Sequence, residues 1–174
     1  MKAVFFFRTL ILLLGGIFFS FTLAAQDNPA NRPSPPAVAS GMVKGKNITI
    51  HYSSPGVKGR EIWGGLAPYN QIWRAGANEA TTFETDKDVK IKGQVLPAGK
   101  YAFFAIPGEK KWTLIFNKEP SQWGAYNYDQ TKDALRAEVK ANETDEMYER
   151  LEYAITKKGF ELRWEHLVIR VPVK

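Results

Sequence analysis

Three strong polar groups, Arg74, Asn78 and Glu79, stand among glycine and alanine in QIWRAGANEATTFET, residues 71–85. The stretch begins like a loop and ends with the alternation of a strand. Thr81, Phe83 and Thr85 share one face, Ala80, Thr82 and Glu84 the other, and Phe83 marks the first as the core side. Carried backwards, that register directs Glu79 inward. A carboxylate so placed needs a cation or donors, because an unpaired buried charge costs several kcal/mol. Arg74 is near in sequence, and Gly76 between two alanines lets the backbone bend close to a partner.

The preceding loop, SSPGVKGREIWGGLAPYN at residues 53–70, adds Lys58 and Arg60 between Tyr52 and Tyr69. A loop this long in a compact domain is usually functional or disordered, and Trp63 argues for order. Two chemistries fit these residues. In one, Arg60, Arg74 and Glu79 form a buried ion-pair and hydrogen-bond network that staples the loop to the fold. In the other, Arg60, Arg74, Asn78 and Glu79 converge on a pocket, with the guanidinium groups gripping a carboxylate or phosphate in bidentate fashion. Tyr52, Lys58 and Trp73 complete that ligand-binding set. A further aromatic group lies in PSQWGAYNYDQ, residues 120–130. Trp123, Tyr126 and Tyr128 present flat faces with polar tips, suited to holding sugars or to capping the core beneath the loop, while Gln122, Asn127 and Asp129 offer hydrogen bonds.

Other chemistries are poorly represented. His51 sits on the polar face of its strand and His166 follows Trp164 and Glu165, so both read as surface residues and no Ser-His-Asp triad is apparent. Two histidines without HxH or HExxH spacing, and no cysteine, give no zinc motif and imply no metal. GVKGR does not satisfy the phosphate-loop pattern. If the protein is an enzyme, Glu79 is the candidate general acid or base, with Asp129 or Glu84 as a second carboxylate. No cofactor is implied.

The elements that must position these groups are strands. KNITIHYS turns Ile48, Ile50 and Tyr52 one way and Asn47, Thr49 and His51 the other. Val89 and Ile91 alternate with lysines, and the turn LPAG leads into KYAFFAI, which is apolar on both faces and therefore central. Pro107 and Gly108 separate it from KKWTLIFN in a hairpin. ALRAEVKA alternates cleanly, ERLEYAIT and GFELRWEH flank a second hairpin at Lys157–Gly159, and LVIRVPV closes the chain. About nine short strands predict an all-β antiparallel β-sandwich, jelly-roll-like or immunoglobulin-like, with a barrel as the alternative. Helix is expected only as a turn around PYNQIW and a short piece near ETDEMYER.

The ends bound the rest. Residues 1–25 combine Lys2 and Arg8, an apolar middle and small residues at Ala24 and Ala25, the layout of a secretory signal peptide. Residues 26–41, rich in Pro, Ala and Ser, read as a flexible linker, with one folded domain over 42–174. The formal net charge is +6; Lys2 and Arg8 supply two of those charges and no acid precedes Asp27, so the remainder carries +4. Its basic residues are interleaved with acids, which argues against a nucleic-acid face. Without cysteine there are no disulfides, and no stable membrane span is expected after signal cleavage. Oligomeric state is left open.

The ordered run YSSPGVKGR, WRAGANEAT, LPAGKYAFFAIPG, WTLIFN and QWGAY resembles the exported bacterial family called domain of unknown function 2911. The resemblance implies an exported, mostly β single domain and carries no activity, cofactor or site residue with it. The function expected from the residues is a non-catalytic binding module for a small polar or carbohydrate-like ligand, exported to the periplasm or secreted. The alternatives are a hydrolase using Glu79, or a purely structural envelope-associated domain.

Overall fold

A computed structural model describes Asn28 and residues 31–174, so the expected signal peptide lies outside the described residues. The described chain is all-β. Its strands are β1 (Pro36–Val43), β2 (Lys46–Ser53), β3 (Thr82–Thr85), β4 (Val89–Ile91), β5 (Gln94–Leu96), β6 (Gly99–Ile106), β7 (Lys111–Asn117), β8 (Asp133–Thr156) and β9 (Gly159–Pro172). Seven of them form one antiparallel sheet in the order β1-β2-β3-β6-β7-β8-β9, and β4 pairs with β5 as a separate ribbon. Among the described residues, no helix is long and apolar enough to cross a membrane.

Period-two patterning accounts for the central strands. Ile48 and Ile50 of β2 are buried while Asn47 and His51 are exposed. β6 is buried on both faces because each face has its own cover. Phe103 points into the main core, whereas Ala102 and Phe104 join Ala80 and Ile115 in a small second cluster on the outer face. The predicted hairpin at Pro107–Gly108 joins β6 to β7, with Phe104 opposite Ile115.

Four expectations are corrected. Residues 36–41, read as linker from their composition, are the first six residues of β1. Their small side chains suit the place: a Cβ at Gly41 would lie 3.0 Å from Cγ2 of Ile155 on β8. Proline at the first residue of an edge strand costs no ladder hydrogen bond. ALRAEVKA and ERLEYAIT are two reaches of the single 24-residue β8, and GFELRWEH with LVIRVPV is likewise all β9. The helix expected near ETDEMYER is therefore strand. Its polar character reflects exposure, and register shifts on either side of Tyr148 take up the bend. PYNQIW is mostly turn and bend rather than helix, and a 3₁₀ turn forms at Gln130–Lys132.

The sheet curls until it nearly closes. Past the end of β2, Val57 N–H donates to Glu149 O (2.7 Å), Leu151 N–H to Pro55 O (2.9 Å) and Ser54 Oγ to Leu151 O (2.7 Å). The β8–β9 ribbon thus lies across the inner faces of β3 and β6, where Phe160 meets Phe83 and Phe103 at ring-centroid distances of 5.5 and 5.7 Å. At one end of this core Trp63, Trp73, Trp112 and Trp164 cluster. Trp73 and Trp164 stack at 5.9 Å with an interplanar angle of 11°, and Trp63 meets both edge-on. Such contacts add to the area that the indoles bury.

Candidate functional site

The stretch WRAGANEAT does not continue β3 backwards. Ala75 and Asn78 have left-handed backbones, with φ of 51° and 57°, and Asn tolerates that conformation better than most residues. The resulting turn is pinned from the core: Thr81 Oγ1 donates to Ala75 O (3.0 Å) and the buried Tyr153 hydroxyl to the same oxygen (2.7 Å). Gly76 is required there, since a Cβ would stand 2.7 Å from Thr81 Oγ1. Asn78 Nδ2 donates to Ser34 O and to Ser53 Oγ, and Arg74 Nη1 to Asn78 O.

Glu79 is consequently turned outward. Its side chain is 52% exposed and its partner is Arg32, at 2.8 Å, rather than Arg74 or Arg60. The inward direction expected from the Phe83 register fails because the extended run survives only back to the buried Thr81; the left-handed Asn78 ends it. The Arg32 hydrogen bond, opposed in part by burial, holds the Glu79 carboxyl below its ordinary range. Arg60 serves its own loop, donating through Nε to Val57 O and through Nη2 to Gly56 O. Lys58 is exposed, and its backbone N–H reaches Glu149 Oε1. Trp73 belongs to the buried indole cluster and Tyr126 is exposed to solvent. The convergent arginine pocket is thus not assembled: Arg60 and Arg74 bind backbone oxygens and Lys58 stands apart.

A different site is assembled. A cleft of about 730 Å³ opens on the outer face of the sheet, between the ends of β1 and β2 on one side and residues 120–123 on the other. Tyr52, Glu79 and Trp123 of the predicted set line it together, and Glu79 bridges Trp123 through the backbone. The two stretches that looked promising separately are therefore one wall. Ala80 N–H donates to Gln122 O and Gly124 N–H to Asn78 O, each at 3.0 Å. His51, Thr82 and Lys100, which no motif singles out, also line it, together with Gln122 from the loop read for its hydrogen-bonding groups. Only the cross-strand register brings them together, and an outward alanine on a central strand, Ala102, is the faint signal that something must cover that face.

The segment after β7 is held as a flap. Asn117 Nδ2 donates to Asp129 O and Asp133 Oδ1, both at 2.9 Å. The Tyr128 hydroxyl donates to Asp133 Oδ2 (2.6 Å) and accepts from Arg136 Nη2 (2.7 Å), while Arg136 Nε donates to the same carboxylate (2.7 Å). Burial, reinforced by Asp133, pushes the Tyr128 phenol up to about 12. Burial also raises Tyr52, Tyr101 and the fully enclosed Tyr153. Because the unfolded phenol ionises near 10, the folded state retains protons that the unfolded state releases. The stability this contributes is complete below pH 10 and is lost as pH rises towards about 12. Denaturation curves across that interval should show a steady fall in the wild type and a shallower one in Tyr128→Phe.

Glu79 is the one carboxylate among the residues lining the cleft. Asp129 instead caps the 3₁₀ turn through Thr131, and Glu84 lies outside the lining, opposite Lys100 on the neighbouring strand. The carboxylate couple considered for a glycosidase is therefore not formed. His166 lies elsewhere, at the β8–β9 bend, in a concavity of about 410 Å³ whose lining includes Glu109, Glu143, Asp145 and Glu165. Among the described residues, no group of three or more His, Cys, Asp and Glu side chains is arranged to hold a metal ion.

Fold and cleft together define a small all-β domain whose curled sheet carries a flap-walled cleft on its outer face. The chain belongs to the family described as Protein of unknown function (DUF2911), whose model matches residues 34–173 and so includes β1. No curated protein and no solved structure matches it.

Proposed function

We propose that this is an exported, non-catalytic binding module, its curled sheet folded over itself as a β-sandwich, which holds a small carbohydrate-like ligand in the cleft beside Trp123. The observation that carries this reading is the indole of Trp123. It is 54% exposed, although the other four tryptophans pack together inside, and it stands at the mouth of a cleft of ligand size. An exposed flat ring beside an apolar floor with a few polar groups is suited to a pyranose ring, which has an apolar face and a polar rim. Export is inferred from the basic start, apolar middle and small residues of positions 1–25.

The hydrolase reading draws less support. Arg32 keeps Glu79 ionised, so it is badly placed to act as a general acid, and no second carboxylate shares the cleft. Glu79 serves better as an acceptor for ligand hydroxyls.

Isothermal titration calorimetry against neutral oligosaccharides tests the proposal. Trp123→Ala should abolish measurable heat while leaving the unfolding midpoint within experimental error, because the ring is largely outside the core. Glu79→Gln should cost no more than about 1 kcal/mol of stability, the range for an exposed ion pair, and weaken binding several-fold. Early melting of Glu79→Gln would instead mark the motif as a fold staple. Retained binding in Trp123→Ala would remove this cleft as the site.

A further inference from the structure

The outer face of the sheet carries a continuous cross-strand row beneath the cleft: Val38 opposite His51, His51 opposite Thr82, Thr82 opposite Ala102, and Ala102 opposite Asn117. In the middle of that row Ala102 contributes one methyl group. Thr82 and Asn117 therefore stand two strand spacings apart, about 10 Å, with a small residue between them. Gln122 reaches into this region from the flap. Its Nε2 donates to Glu119 O at 2.7 Å and lies 3.4 Å from Asn117 Oδ1. Since Glu119 O can only accept, the amide end of Gln122 is fixed, and Oε1 is the end left over.

Gln122 Oε1 and Thr82 Oγ1 are both buried and both without a hydrogen-bond partner. Thr82 as a residue is 8% exposed, and both residues line the cleft. Leaving a buried polar atom unsatisfied is costly, and two of them in the lining of one cleft is an arrangement that an apolar pair would avoid. We infer that Thr82 and Gln122 form a subsite for the hydroxyl groups of a neutral, polyhydroxylated ligand. The inference rests on the binding-module reading and narrows it.

The chemistry selects the group. Gln122 Oε1 can only accept, so whatever fills the subsite must donate to it. The Thr82 hydroxyl can donate in return. Ligand hydroxyls do both, whereas a carboxylate or phosphate ester dianion offers no proton to Gln122 and meets the Glu79 carboxylate at the same wall. His51 is the cross-strand neighbour of Thr82 and Lys100 stands two residues from Ala102 on β6, so both offer donors to ligand oxygens beside the subsite. Because both orphan atoms are shielded from bulk water, a hydroxyl reaches them by displacing side chains of the Pro120–Trp123 segment outward.

The test uses the full mature chain and three variants, Thr82→Val, Thr82→Ser and Trp123→Ala. Calorimetric titrations use cellotriose, maltotriose and chitotriose as neutral probes, and glucuronate and glucose 6-phosphate as acidic ones. At least one neutral probe should bind the wild type, weaken about tenfold in Thr82→Val, as one lost hydrogen bond implies, and recover in Thr82→Ser. Thr82→Val should unfold no earlier than the wild type, since it removes an unsatisfied hydroxyl. Unchanged affinity in Thr82→Val, with Trp123→Ala still defective, would overturn the subsite and leave the binding module standing. Tighter binding of the acidic probes would overturn the ligand class. A lower midpoint for Thr82→Val would show that the hydroxyl has a partner within the fold, which also overturns the subsite. Silence of every probe on the wild type would overturn both readings together.

Discussion

Gly159→Ala is expected to be the most damaging single-methyl change in the molecule, lowering stability by about 3 kcal/mol or more, at the upper end for overpacking. The glycine sits where the tip of the β8–β9 hairpin returns over the end of its own ribbon. A Cβ there would overlap the carbonyl oxygen of Val171 and stand 2.8 Å from Val173 N and 3.0 Å from Pro172 Cα. These are backbone atoms, so no rotamer change relieves the clash. The segment they belong to is itself committed: Val173 N–H donates to Lys158 O (2.8 Å), and Lys174 pairs with Lys90 through both backbone groups. Separating the strands would break these bonds and loosen the β4–β5 ribbon with them. Urea denaturation of the variant should give a much lower midpoint, and Gly93→Ala provides the control. Gly93 has no neighbour within 4 Å of its Cβ position, so its cost should reflect only the left-handed φ of 86°.

Trp164→Ala should cost about 3–5 kcal/mol, the range for deleting a buried aromatic ring. Trp164 has no exposed surface and lies flat on Trp73, with the edge of Trp63 at 5.6 Å. Its ring neighbours Trp63 and Trp73 come from the loop before β3 and are themselves packed against Trp112 of β7, which its ladders to β6 and β8 hold in place, so the cavity cannot collapse easily. Trp164→Phe should recover much of the loss. Denaturant midpoints distinguish the two variants. A small loss in Trp164→Ala would mean that the indole cluster is loosely packed.

The strands that could be read from the chain were those whose local pattern and pairing agree. In β2, Ile48 and Ile50 declare their face unaided. The β6–β7 hairpin is marked by Pro107 and Gly108 between two apolar runs, and the second hairpin by Lys157–Gly159. β1 was illegible because pairing along one edge requires backbone, whereas the composition of PAVASG suggests tether. The unity of β8 was hidden by its polar middle, which is exposed and bulged. In the site, WRAGANEAT and the Trp123 loop were recognisable as unusual, but their geometry was not. The partner of Glu79 lies 47 residues away in a segment read as linker, and the direction of its side chain depends on one left-handed residue, Asn78. Thr82 and Ala102 carry no motif at all, and Gln122 was legible only as a hydrogen-bonding group of its loop. They meet because three separate stretches pair in one register, and no local periodicity encodes that.

The distribution of the five tryptophans also divides the molecule's optical signals. Trp63, Trp73, Trp112 and Trp164 lie within 4.9–5.9 Å of at least one another, close enough for their excited states to couple. They should therefore give a signed exciton couplet in circular dichroism that vanishes when the core loosens. Trp123 stands apart from that cluster at the cleft mouth, and its emission should respond to what enters there. One cuvette thus holds two independent reporters, a couplet for the integrity of the core and a single emitter for the occupancy of the cleft.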